Sequence, residues 1–167
     1  MATPSRKSQS LQSEINEWAS NIKKIDSKQD LLIKKILSKV AALIESKDLA
    51  DKANLAKEIE DFSYDIINEL EELMSVMELI GGIEREIVDV NPVLEEIKIG
   101  RRLTEKFRIS IKNLVKSSFD SSDIKNEVFE RLKNHYKDYK EIANRIRENS
   151  YEIIEILNQN LSKFRKL

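Results

Sequence analysis

The chain has one histidine, His135, and no cysteine, so the side chains that could do covalent or metal chemistry are few. Thiolate metal sites, thiol catalysis and disulfides are excluded outright. Acyl transfer would need His135 beside a serine on a strand-to-helix elbow, and no Gly-x-Ser-x-Gly occurs. A di-iron carboxylate site needs Glu-x-x-His twice, yet the residue three before His135 is Leu132. Walker, dinucleotide-binding and EF-hand loops are also missing. His135 falls between Leu132 and Tyr139 on an apolar helical row, where an imidazole reads as a core or boundary residue. The sequence argues against an enzyme, and it shows no cofactor motif and no small-molecule substrate site.

Charge is the more informative feature. From Lys98 to Lys116 there are seven basic residues and one acidic one, Glu105. Lys98, Arg101, Arg102, Lys106, Arg108 and Lys112 would lie on two adjoining stripes of one helix, continued by Lys116. Such a face can hold phosphoinositide head groups, nucleic-acid phosphate or an acidic protein. Nucleic acid ranks low because no aromatics interleave the basic residues for base stacking. The competing reading is a solvated face partly neutralised by a neighbour. Residues Glu58 to Glu84 supply one, with nine carboxylates and no lysine or arginine.

These charges ride on long helical patterns. Apolar residues at Leu11, Ile15, Trp18, Ile22, Ile25, Leu32 and Ile36, with Gln29 as the polar intruder, predict a helix over about 9–46. Residues 1–8 read as a disordered tail. Asp48 is the expected N-cap of a second helix over about 49–80, with the seam Leu55, Ile59, Phe62, Ile66, Leu70, Leu73, Met77 and Ile80. Gly81-Gly82 is expected to stop it in the left-handed conformation, and Ile83 to Val90 to form a short helical segment. Pro92 suits the start of a third helix over about 92–119, with Gly100 and Thr104 thinning its seam. A fourth helix over about 122–166 carries Val128, Leu132, His135, Tyr139, Ile142, Ile146, Asn149, Ile153, Leu157, Leu161 and Phe164.

Short connections make consecutive helices antiparallel neighbours, so the expected fold is all-α: an elongated up-down-up-down four-helix bundle with coiled-coil-like packing. A chain of 167 residues fits one such domain. The unequal helix lengths predict an apolar end, formed by Leu11, Ile15, Trp18, Leu157, Leu161 and Phe164, where a partner or second copy would bind. The N-terminus lacks the apolar core of a secretory signal, and no uncharged run is long enough to span a bilayer. With no cysteine, these features point to the cytoplasm.

The stretch Glu60-Asp61-Phe62-Ser63-Tyr64-Asp65-Ile66-Ile67 resembles the acidic Glu-Asp-x-x-x-Asp stretch in the helical N-terminal domains of plant immune receptors. It covers under a dozen residues and carries over no functional residue. The resemblance implies a bundle that associates with itself and can act at membranes. The overall expectation is a non-enzymatic protein–protein interaction module: an adaptor, scaffold or oligomerisation bundle. The alternative is a bundle that meets anionic lipid through its basic helix face.

Overall fold

The computed structural model describes the backbone of residues 3–84, 86–116 and 122–165, and the side chains of residues 11–48, 50–84, 86–113 and 130–160. It contains four helices: α1 (Thr3–Glu45), α2 (Leu49–Ile83), α3 (Asn91–Lys116) and α4 (Ser122–Arg165). α1 packs on α2, α2 on α3, α3 on α4, and α4 back on α1. Among the described residues no diagonal pair of helices brings its Cα atoms within 8 Å. This is the ring of an antiparallel four-helix bundle, as the periodicity predicts. At 1.5 Å per residue α1 is about 65 Å long. α1 begins at Thr3, so most of the stretch expected to lie outside the fold continues the helix instead.

One apolar core runs the length of the ring. Ile15, Ile22, Val40 and Leu43 of α1 meet Ile59, Leu70, Met77 and Ile80 of α2; Ile97 and Ile111 of α3 and Leu132, Ile146 and Leu157 of α4 close it. The seams fall largely where the spacing puts them. On α4 the buried row passes through Ser150 while Asn149 turns half outward, because a 3.6-residue repeat drifts away from a strict heptad over so long a helix. Three hydroxyls are buried at small cost because each donates to the carbonyl one turn back: Ser63 to Ile59 (2.8 Å), Thr104 to Gly100 (2.8 Å) and Ser150 to Ile146 (2.6 Å).

The helix ends explain the connections. Asp48 caps α2 as expected, its Oδ1 accepting from the Ala50 N–H at 3.0 Å. The other end of α2 departs from expectation. Gly81 and Gly82 are both helical, neither has a positive φ, and the helix continues to Ile83 before capping at Glu84. Gly81 is there for space: a Cβ on it would lie 2.5 Å from Cγ2 of Val90. The expected short helix after it is a single turn, closed by Ile87 and Val88 N–H groups on the Glu84 carbonyl. Val88 to Val90 follow in no regular element, with Val88 and Val90 buried in the core and Asp89 exposed, its Oδ1 accepting the Asn91 N–H at 3.0 Å at the start of α3. The α3–α4 connection, residues 117–121, lies outside the described residues.

Candidate interaction surface

The chemistry suggested by His135 finds little room. Ile36, Ser63, Ile66, Thr104, Phe107, His135, Tyr136 and Tyr139 line a hollow of about 20 Å³ inside the bundle. That is enough for one water and far below the roughly 300–1,000 Å³ of a small-molecule site. Among the described residues, Nδ1 of His135 and the Tyr139 hydroxyl are buried there with no hydrogen-bond partner within geometric reach. Burial drives the Tyr139 phenol well above its ordinary range, so it stays protonated. Among the described residues no group of three or more His, Asp or Glu is placed to hold a metal ion.

The basic stripe of α3 divides in two. Its inner flank meets the acidic helix. Arg101 pairs with Glu71 at 2.9 Å, and Arg108 pairs with Glu60 at 3.3 Å. Arg108 also grips Glu105, one turn back, and lies 4.7 Å from the centre of the Tyr64 ring. The Glu105 hydrogen bond holds the Arg108 guanidinium above its ordinary range, and Arg108 in return lowers the Glu105 carboxyl. These two arginines belong to the α2–α3 contact rather than to a free anion site. Lys98 leans on Glu95 at 3.4 Å.

The outer flank is different. Arg102 and Lys106 are exposed and have no ion pair among the described residues, whereas Lys112, also exposed, continues the row of Arg101, Glu105 and Arg108. Ile99 and Ile109 flank Arg102 and Lys106, 40% and 45% exposed. These isoleucines were not anticipated as surface residues. Their position could have been read from the sequence, since they fall opposite the seam Val93, Ile97, Gly100, Thr104, Phe107 and Ile111. The side chain of Lys116 lies outside the described residues.

The apolar end anticipated for association takes another form. Ile15, Trp18 and Leu157 are core residues, buried at 0%, 4% and 2% exposure, and Leu11 is half-buried against them. Val88 and Val90 of the α2–α3 connection add cover to this end of the core. The longer helices therefore do not leave Ile15, Trp18 and Leu157 as an open patch. Leu161 and Phe164 lie outside the described side chains.

The α1–α4 junction, which the sequence did not reveal, is polar at its edge. Asp26 accepts from Arg147 Nε at 2.7 Å and from the Tyr151 hydroxyl at 3.2 Å. Across α3 and α4, Asn149 donates to both oxygens of Glu96, at 2.8 and 2.9 Å. Among the described residues no helix is long and apolar enough to cross a membrane. Comparison of the chain with family models, curated proteins and solved structures finds no match.

Proposed function

We propose that the chain is a non-enzymatic protein–protein interaction module, an adaptor, scaffold or oligomerisation bundle, that offers the outer side of α3 to an acidic protein surface. One contrast carries the reading. Arg101 and Arg108 are neutralised by α2, while Arg102 and Lys106 on the same helix face solvent between two exposed isoleucines. Exposed aliphatic side chains beside unpaired cations suit a partner helix of acidic and apolar character. A cytoplasmic setting fits a chain without cysteine.

The test is binding by the wild type and by Arg102→Glu/Lys106→Glu, with circular dichroism as the control for folding. Loss of the partner with helicity intact supports the reading, and undiminished binding sinks it. Ile99 and Ile109 beside Arg102 also favour a second reading, contact with an anionic lipid surface. Sedimentation with anionic and neutral vesicles separates the two: retention on vesicles in the absence of any protein partner would move the function to the membrane.

A further inference from the structure

α3 has a second row on the side away from the core. Ile99, Arg102, Lys106, Ile109 and Asn113 follow one another at steps of 3, 4, 3 and 4, and all five are exposed. This is the spacing with which one helix presents a line of side chains to another. α2 has a row of its own. Asp61, Asp65, Asn68, Glu72, Ser75 and Leu79 step by 4, 3, 4, 3 and 4, again all exposed, with Leu79 at 52%. The rows are alike in layout and opposite in charge. Arg102, Lys106, Asp61, Asp65 and Glu72 have no ion pair among the described residues, so the contacts described within the bundle leave them free to meet a partner.

We propose that the outer row of α3 docks on the outer row of α2 of a second copy of this chain. The proposal rests on the reading of α3 as a protein contact and names the partner. An antiparallel pairing puts both rows in step. With Ile99 against Leu79, Lys106 falls opposite Glu72 and Asn113 opposite Asp65, while Arg102 meets Ser75 with Glu72 and Glu78 close by along the helix. Aliphatic contact closes one end of the row, Ile109 falls on Asn68, and the single Lys106–Glu72 pair, with Arg102 beside the same glutamate, fixes the register. Because the two rows are different surfaces, one contact leaves a basic row and an acidic row free at the ends of a pair. Association is head-to-tail and grows with concentration.

The experiment is light scattering on the full chain over a wide concentration range, at low salt and at about 1 M salt, where the screening length drops to roughly 3 Å. At low salt the average mass should climb above 19.4 kDa as concentration rises, and high salt should return it to that value. Arg102→Glu/Lys106→Glu and Asp65→Lys/Glu72→Lys should each weaken self-association at least about tenfold, with helicity unchanged. Mixing the two variants should restore it, because each retains the row that the other has lost. A mass fixed at the monomer, growth indifferent to salt, or a mixture that fails to reassociate overturns the proposal. If either variant loses helicity, the salt and concentration dependence of the wild type decides alone. A monomeric chain whose α3 still takes an acidic foreign protein overturns this inference and leaves the proposed function standing. A monomeric chain that binds vesicles and no protein overturns both.

Discussion

Arg108 is only 13% exposed at its side chain and is held by Glu60, Glu105 and the Tyr64 ring. Arg102, six residues earlier, touches no counter-charge among the described residues. Arg108→Ala should therefore cost about 1–3 kcal/mol in chemical denaturation, since it strips charged hydrogen bonds from a half-buried group. Arg102→Ala should stay within about 0.5 kcal/mol. The same cluster sets an acid limb. Glu105 is held below its ordinary value of 4.5, first by the Arg108 hydrogen bond. A carboxyl lowered in the folded state contributes stability that is fully present above about pH 4.5 and is lost as pH falls through the lowered value. Asp30 adds to the same limb through its hydrogen bond with Lys34. The melting temperature should fall on acidification below about 4.5, and Arg108→Ala should flatten part of that fall. Equal slopes in the two proteins would mean that the pair is too solvated to matter.

At the scale of elements, the three glycines do three different things. Gly81 makes room for Val90, whose Cγ2 would lie 2.5 Å from an added Cβ. Gly82 has nothing within 4 Å. Gly100 lies under Leu70, Ile142 and Ile146 at ordinary contact distances of 3.4–3.7 Å. All three are helical, so alanine gains up to about 1 kcal/mol in propensity wherever it fits. Gly82→Ala should raise stability by about 0.4–1 kcal/mol, while Gly81→Ala should lower it by pushing the Val88–Val90 hook out of the core. Equal effects at both positions would show that Val90 yields easily. Here the sequence misleads for a physical reason. A glycine pair is the usual mark of a helix end, but glycine serves equally where a neighbour comes too close for a Cβ. The four helices themselves were legible, because long amphipathic repeats leave few alternatives. The site was legible only in part. Counting charges located the basic helix, whereas the split between Arg108 and Arg102 depends on which flank α2 covers, and spacing along one helix does not encode that. At the apolar end, helix lengths gave no warning that Ile15, Trp18 and Leu157 would be buried, with Val88 and Val90 folded inward into the same core.

Over the whole molecule, contacts close a ring in which three of the four junctions join consecutive helices. The fourth, α1 on α4, joins the ends of the chain. Two of its ties are Asp26 to Arg147, separated by 121 residues, and Asp26 to Tyr151, separated by 125, and Arg147 also lies 3.9 Å from Asp30. Loop-closure entropy rises with the length of chain enclosed, so this junction is the costliest to form early, while α2 and α3 meet across a short turn. Folding should therefore proceed from the α2–α3 pair, with α1 and α4 docking after the rate-limiting step. Asp26→Ala removes both of the Asp26 ties and should cost about 1–2 kcal/mol. In a chevron the cost should appear on the unfolding limb, with the refolding rate nearly unchanged, the pattern of a contact absent from the transition state. Val90→Ala, at the α2–α3 turn, should instead slow refolding. If Asp26→Ala slows refolding as much as it destabilises, the ring closes early and the chain ends take part in the nucleus.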